Sequence, residues 1–473
     1  MMEIPCGMQE QFLEAKELIE SSNDIKIYTH TDCDGICSGA ILSIILDRLN
    51  KDYEIEFVNL DEIEDLNLDH KLTIFSDLGS GQGVDKNAKD GQKILILDHH
   101  PPLRDINYKN DKAYTYLEIN PMFYGIDGSY YVCGGGLCYF LAKTFGFKDL
   151  SWIGVLSAIG DMQNNKTGHF EGLNEIIQED AINEGLLKVT KNDLNIYGRS
   201  TRPLYVALSY FSDVKLPITN NQQEAKVVLE ELGVDEKHNR KTLSEVTEED
   251  KMEIKKFLSR MISKRVPPKY LKYVPKLIVG DAYTFLNEEE GSFLRDGSEF
   301  STAMNACGRN RKEAIGVDII KGDRLVALDA LEEVSKTHKY NLATSISKVA
   351  DNYHSEIIEL DNFQYFDCSD FDEDIASNII GTITGMVLGY CNWKKPILGF
   401  SKPKNNQIKV SLRCSKLLAY DGIHFGNMIR EIAKEVGGTG GGHAIACGAY
   451  IPNEKKSEFL DKFNRKLQGK IAN

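Results

Sequence analysis

Three things are scarce in this chain: paired cysteines, long apolar runs and positive charge. Its ten cysteines include no C-x-x-C pair, which argues against thiolate zinc ribbons and thioredoxin-like redox motifs. With no secretory leader in view, they are expected to be small buried hydrophobes in a reducing cytosol. No apolar run reaches the length of about 20 residues that a membrane helix needs. The nearest, Ile379 to Tyr390, is broken by threonines and carries Gly381 and Gly385 in G-x-x-x-G spacing, so it reads as a buried core helix. No membrane partner is expected. Lys and Arg number 56 against 71 Asp and Glu, a net charge of −15. That excludes a protein that coats duplex nucleic acid nonspecifically. It leaves room for an enzyme whose bound cations neutralise local aspartates.

At 473 residues, with 42% hydrophobic and 27% charged residues, the chain is a globular protein too long for one core, and two or three domains are expected. Its first third alternates strand and helix signals. Ile25 to Tyr28, Glu54 to Val58, Leu72 to Phe75 and Lys93 to Leu97 read as strands. Ile36 to Leu49, Leu137 to Phe145 and Trp152 to Ile159 read as helices. That order predicts an α/β domain with a parallel sheet and helices on both faces. From Asn220 to Lys264 the composition turns to Glu/Lys-rich amphipathic helix, a helical insert. Strands at Ser355 to Tyr365 and Pro396 to Arg413, a helix from His424 to Val436 and a Gly-rich loop from Gly437 to His443 make a smaller C-terminal α/β domain. The expected boundaries are 1–215 for the first domain, 216–351 for the insert and a connecting region, and 352–473 for the last.

Four acidic stretches stand out: His30-Thr31-Asp32-Cys33-Asp34-Gly35, Phe75-Ser76-Asp77, Leu97-Asp98-His99-His100 and Gly160-Asp161. Each follows an apolar strand or helix, so their side chains converge at the carboxyl edge of the sheet. Singly, each has a plain structural reading: Asp32 as a helix cap, Asp77 as a strand-end turn. Four in order are better explained as one metal centre. Carboxylates with a few imidazoles suit Mn²⁺ or Mg²⁺ over thiolate-bound zinc. Two ions sharing a carboxylate activate water against a phosphate ester. Cys33 would point away from Asp32 and Asp34 in an extended segment and is expected to pack.

Together these motifs resemble those of the DHH phosphoesterase superfamily. With Asn305-Ala306-Cys307-Gly308-Arg309 and Gly440-Gly441-Gly442-His443, the chain resembles the archaeal relatives of the RecJ exonuclease. The resemblance implies that His30, Asp32 and Asp77 hold one divalent cation and that Asp34, Asp77, His99 and Asp161 hold the other, Mn²⁺ by preference and Mg²⁺ second. Asp77 would bridge, Asp98 would orient a histidine and His100 would face the scissile phosphate. The active site would lie in the cleft between the DHH domain and the C-terminal domain.

In RecJ-like enzymes, residues matching Arg309, Ser411 and Arg413 form a terminal-phosphate pocket. Ser411 and Arg413 alternate outward on one face of a strand, and Arg suits bidentate phosphate binding. Asn305 is carried over with them. Gly441 and Gly442 would let backbone N–H groups approach a phosphate, and His443 would add a donor. The implied partners are single-stranded DNA or RNA and the GINS component of the replicative helicase, with the insert as a docking element.

Three functions compete: an end-directed single-strand exonuclease, an oligoribonuclease or cyclic-dinucleotide phosphodiesterase, and a replisome scaffold with vestigial activity. One residue, Thr31, separates His30 from Asp32, where short-substrate members typically place three, which favours the first. Every ligand position is filled, which disfavours the scaffold. Bacterial RecJ commonly has Asp at the position of His30, and no OB-fold domain is recognisable here.

Overall fold

The computed structural model describes residues 2–60, 62–108, 113–234, 241–350, 357–368, 373–404 and 406–471. The chain forms two compact units, Met1–Asn192 with Asp281–Ser335, and Asp193–Gly280 with Lys336–Asn473. These units group the chain differently from the expected boundaries at 215/216 and 351/352. Segment 216–351 is not a body of its own, because composition marks where amphipathic helices lie and not which core they bury into. Ile254, Leu258 and Ile262 share a core with Leu204, Trp393 and Leu417, whereas Phe300, Met304 and Cys307 share one with Ile36 and Trp152.

The first unit opens with α1 (Cys6–Glu20), β1 (Ile25–His30), α2 (Cys33–Arg48), β2 (Tyr53–Val58), β3 (Leu72–Ser76), β4 (Lys93–Leu97) and β5 (Thr115–Ile119). Helices α3 (Gly134–Thr144), α4 (Ser151–Gly160) and α5 (Leu173–Asn183) follow. The sheet order is β2-β1-β3-β4-β5, and every pairing is parallel. The order reverses between β1 and β3, the switch point outside which ligands gather in open α/β sheets.

Strand alternation divides the apolar side chains between the two faces. Ile25, Ile27, Leu72, Ile74, Leu95 and Leu97 bury with the helices. Tyr28, Phe75, Ile94 and Ile96 face the other way and are covered by Ile63, Leu68, Leu78 and Val84. The second face is thus roofed by a 3-10 turn, Ile63–Asp65, and irregular segments rather than by a full helical layer. The connection from β2 to β3 leaves too few residues for a long helix.

Helix α2 is buried nearly all round, as expected of a helix whose apolar residues are not confined to one stripe. Strand β5 and helix α1 are additions to the sequence reading.

In the chain, β6 (Leu187–Leu194) is followed by α6 (Leu204–Ser209), α7 (Gln222–Glu231), α8 (Glu248–Ser263), α9 (Val274–Ile278) and β7 (Val279–Phe285). Helix α8 buries Ile254, Leu258 and Ile262 at i, i+4 spacing and is capped by Thr247, whose side chain accepts from the Asp250 N–H. Helices α10 (Gly297–Arg309), α11 (Glu313–Lys321) and α12 (Val326–Ala350) come next.

The second unit also contains a six-stranded sheet, β12-β13-β11-β10-β9-β8. Its strands are β8 (Ile358–Glu359), β9 (Gln364–Asp367), β10 (Ile397–Phe400), β11 (Gln407–Arg413), β12 (Thr439–Gly442) and β13 (Ala446–Pro452). The Gly-rich run is therefore corrected from loop to edge strand, paired antiparallel to β13 with Gly441 opposite Gly448. The helix Phe425–Glu435 ends just before it. The Ile379 to Tyr390 run lies in the helix Glu373–Val387 and a following 3-10 turn, with Ile379, Ile380, Ile383 and Val387 buried. Among the described residues no helix is long and apolar enough to cross a membrane. Nine of the ten cysteines are buried and none is in a disulfide.

Candidate metal centre

His30 ends β1, Asp77 follows β3, and Asp98 and His99 follow β4, so three parallel strands deliver ligands to one edge. Asp32 is the N-cap of α2, its Oδ1 accepting the Gly35 N–H at 3.1 Å. Its other oxygen stands 3.1 Å from His30 Nδ1. Cys33 is the first residue of α2, so the extended segment expected around it is corrected to a helix start. The thiol is buried and packs beside the Leu156 carbonyl, Sγ to O 3.9 Å.

Asp34 is buried and accepts the N–H groups of Gly134 at 2.8 Å and Gly135 at 2.7 Å, together with the Ser157 hydroxyl. The first two donors are free amides of the α3 N-terminus, which favours an anion. Glycine is required there: a Cβ on Gly134 would stand 2.6 Å from Asp77 Cβ, and one on Gly135 2.1 Å from Ser157 Oγ.

Asp77 sits at φ +59°, a left-handed conformation that Asp tolerates better than most residues. The backbone turn sends its carboxylate between two histidines. Oδ2 is 3.6 Å from His30 Nδ1 and Oδ1 is 3.3 Å from His99 Nε2. His99 Nδ1 donates to the Gly128 carbonyl at 2.7 Å, leaving Nε2 3.6 Å from Asp34 Oδ2. Asp161 caps the C-terminus of α4, and its Oδ2 accepts from Gln163 Nε2 at 2.6 Å. Asp98 is fully buried and accepts from the N–H of Ser80 at 2.9 Å, the N–H of His99 at 2.8 Å and Nδ1 of His100 at 2.8 Å. The His100 side chain is 46% exposed.

Three ligand sets result: His30, Asp32 and Asp77; Asp34, His99 and Asp161; and Asp77, Asp98, His99 and His100, the ligand atoms of each lying within 4.8 Å of one another. Asp77 Oδ2 and His99 Nε2 are buried without a hydrogen-bond partner among the described residues. A buried polar atom left unpaired is costly unless something binds it. An imidazole nitrogen beside carboxylate oxygens is the donor set that divalent cations take, so the residues fit such ions.

The electrostatics agree. Burial, and then the charges of Asp34 and Asp32, push the Asp77 carboxyl well above the carboxylate range. Burial opposes charge on His30, but Asp32 and Asp77 outweigh it and hold the imidazole well above its usual value. For His99, burial is likewise outweighed, by Asp161, Asp77 and Asp34. Asp34 is raised by burial and by Asp161. Asp98 is the reverse case: burial raises it, yet His100 and His99 bring it well below the usual range. Excess negative charge drawn into a small buried volume needs cations to neutralise it.

Sequence reasoning missed several members of this centre. Gln163 Nε2 bonds both Asp161 and the Gly128 carbonyl, the latter at 2.8 Å, and Asn174 holds Gln163 Oε1 at 2.8 Å. No motif flags Gln163, Ser157 or Gly128. Asn305, expected at the substrate, lies within α10, where its Oδ1 accepts the Cys33 N–H at 3.0 Å. Its Nδ2 remains as the donor on offer. A Cβ on Gly308 would stand 1.8 Å from the Thr31 carbonyl oxygen, so the internal motif is pressed against the first ligand loop. Arg309, half-buried, ends α10.

In the second unit Ser411 and Arg413 do share a face of β11, Arg413 Nη1 donating to Ser411 Oγ at 3.2 Å. They do not point outward as expected. Ser411 is buried, and a Cβ on Gly381 would meet Arg413 Nη2 at 2.9 Å and Ser411 Oγ at 3.2 Å. The G-x-x-x-G helix covers them, its glycines making room for the guanidinium. Burial lowers the Arg413 pKa, and among the described residues no carboxylate pairs with it. Gly441 and Gly442 lie on the edge strand β12. The N–H of His443 bonds the Ala446 carbonyl at 2.9 Å and closes the turn into β13.

The DHH family N-terminal domain profile matches residues 24–155, the DHH-CID domain 196–274 and the DHHA1 domain 361–469. Uncharacterized protein MJ0831 of Methanocaldococcus jannaschii is 30% identical over 446 residues, 93% of this chain and 92% of that protein. The chain belongs to the DHH family. The DHH-CID match spans the whole of the Glu/Lys-rich helical stretch from Asn220 to Lys264. Among solved structures, CDC45 from Entamoeba histolytica is similar with a TM-score of 0.62 at 15% identity, covering 98% of this DHH chain and 99% of that one. RecJ from Thermus thermophilus, solved in complex with Mn²⁺, is similar with a TM-score of 0.55 at 13% identity, covering 99% of this chain and 55% of that one. The DHH chain thus has a RecJ-like fold.

Proposed function

We propose that this protein is a metal-dependent phosphodiesterase that removes nucleotides from an end of single-stranded DNA or RNA. The observation that carries the reading is the position of Asp77. Its two oxygens face His30 on one side and His99 on the other, and it belongs to two of the three ligand sets. His30 and Asp32 with Asp77 would hold one cation, and Asp34, His99 and Asp161 with Asp77 the other. Bound there, Mn²⁺, or Mg²⁺ second, would supply Lewis acidity toward phosphoryl oxygens and lower the pKa of water. Asp98 fixes the His100 ring through Nδ1, which turns Nε2 away from Asp98 to face the scissile phosphate. Asn305 steadies the first ligand loop through the Cys33 N–H, and Arg309 offers a guanidinium from the same helix.

In the second unit Arg413 and Ser411 offer a buried guanidinium and a hydroxyl to a terminal phosphate. Gly441 and Gly442 on the edge strand would let a phosphate approach the backbone closely, with His443 at the turn that follows. The likeness to RecJ supports a nucleic-acid substrate over a small molecule. A second reading, a replisome component with vestigial activity and GINS as partner, draws on the likeness to CDC45. The complete ligand set favours catalysis.

The deciding experiment is digestion of end-labelled single-stranded DNA and RNA, with either end phosphorylated, alongside a cyclic dinucleotide. Stepwise, Mn²⁺-dependent shortening is expected, with none in Asp77→Ala or Asp161→Ala. Hydrolysis that persists in both variants would overturn the site assignment. Cleavage of the cyclic dinucleotide alone would replace the exonuclease by a small-substrate phosphodiesterase.

A further inference from the structure

Beside the metal centre, and wholly within the first unit, lies a cavity of about 620 Å³ whose lining includes Thr31, Phe57, Asn59, Leu66, Arg311 and Glu313. Thr31 places it one residue from the ligands His30 and Asp32. Glu313 is the first residue of α11, a position where a glutamate ordinarily stands in water and interacts with the helix dipole. Here it is 8% exposed, and among the described residues no hydrogen bond or ion pair from another side chain reaches its carboxylate. Burial raises its pKa, against its own backbone N–H, from which the carboxylate accepts, and the charges of Arg311, His30 and Lys312.

Of the three other acids of the cavity, Asp65 is exposed to solvent and the remaining two are already engaged. Glu56 pairs with Lys26 at 2.9 Å, and Glu62 accepts the Asn59 N–H at 2.8 Å. Arg311 is exposed at the rim in a left-handed conformation, φ +54°. Phe57 and Leu66 supply apolar wall. An aromatic wall, an arginine at the mouth and one buried acceptor pair at the floor are the parts that recognise an unstacked nucleotide.

We infer that this cavity reads the base of the nucleotide next to the scissile phosphodiester, with both Glu313 oxygens accepting from the Watson–Crick edge of guanine. Guanine is the base whose edge presents two adjacent donors, N1–H and N2–H, to match the two oxygens of a carboxylate. Adenine and cytosine each pair a donor with an acceptor that would face the carboxylate, and uracil and thymine offer one donor. Arg311 would hold the adjoining phosphate, and Phe57 would lie against the base. The inference rests on the nuclease reading for its place beside the scissile bond, but the pocket's selectivity is measurable without turnover.

The test uses the full chain and its Glu313→Gln variant, with thermal unfolding to confirm that the variant folds. Equilibrium binding of GMP, dGMP, AMP, CMP and UMP is compared with Mn²⁺-dependent release of a single G, A, C or T placed at either end of an oligothymidylate. A guanine preference of ~10-fold is expected from one bidentate contact, and Glu313→Gln should bring the four bases within about twofold. Equal affinity for the four ribonucleoside monophosphates overturns the inference, as does a guanine preference that Glu313→Gln retains. A preference for GMP over dGMP with no preference among bases would assign the carboxylate to the ribose hydroxyls and also overturn it. Selective GMP binding without hydrolysis of any oligonucleotide would sink the nuclease reading and leave the pocket standing.

Discussion

Asp98 Oδ1 lies 2.8 Å from Nδ1 of His100, and this contact sets both the tautomer and the direction of the ring. The carboxylate accepts, so the proton sits on Nδ1 and Nε2 is turned away from Asp98. Asp98→Asn keeps the shape but removes the negative charge that holds the imidazole. Loss of such an orienting partner costs roughly 10–100-fold in activity or metal affinity. The expected result is a drop of that size in kcat with a folded protein of somewhat lower unfolding temperature, because the amide nitrogen would face an N–H from which the carboxylate accepts in the native protein. Full activity in the variant would show that His100 needs no orientation.

Proton release should accompany metal binding. Asp77, His30 and His99 are all held above their ordinary pKa values, Asp77 by burial and the neighbouring carboxylates and the two histidines by the carboxylates around them, so without cations they hold protons to higher pH than free side chains do. A cation must displace them. Affinity for Mn²⁺ should therefore rise with pH and level off once the three groups have lost their protons. Titration calorimetry at pH 6 and pH 8, in buffers of different ionisation enthalpy, reads this directly. Equal affinity at both values with no buffer dependence would contradict it.

Gly308→Ala tests whether the internal motif belongs to the metal centre. The added methyl would stand 1.8 Å from the Thr31 carbonyl oxygen, a backbone atom with little freedom, so α10 or the ligand loop must shift. Overpacking of this kind costs about 1–3 kcal/mol, and the Asn305 contact to the Cys33 N–H would lengthen with it. Lower stability together with weaker Mn²⁺ binding is expected; a destabilised variant with intact Mn²⁺ affinity would separate the motif from the centre.

Gly381→Ala and Gly385→Ala form a matched pair in the second unit. At Gly381 the new Cβ would meet Arg413 Nη2 at 2.9 Å, whereas at Gly385 its nearest approach to Arg413 is an ordinary 3.8 Å. Affinity for a terminally phosphorylated strand should fall about tenfold, or about 1.4 kcal/mol, in the first variant. In the second it should hold, with a small gain in helix stability. Equal behaviour of the two in a binding titration would remove Arg413 from substrate recognition.

The strands and the ligand motifs were legible because a buried parallel sheet writes itself as short apolar runs, and the ligands fall at the ends of those runs. β1 to β4, α2, α3 and α4 all came from that signal. β5 did not: Glu118 interrupts its apolar run, and only the fold shows that residue buried and bonded to the Tyr116 hydroxyl. The Gly run read as a loop because glycine has no strand preference, and its pairing with β13 is set by close backbone approach. Gln163 and the Gly128 carbonyl left no trace, since the contacts that recruit them join the end of a helix to a loop. Asn305 was visible as a motif residue. Its partner at Cys33, far away in sequence, was not.

The first unit is built from two stretches of chain with 193–280 between them, and this imposes an order on synthesis. A nascent chain carries every predicted metal ligand by residue 161, long before α10 has been made. Until α10 emerges, the Cys33 N–H lacks Asn305 and the Thr31 loop lacks Gly308 against it. The enzyme would thus leave the ribosome with its ligands assembled early and locked late, so that activity should await translation of α10.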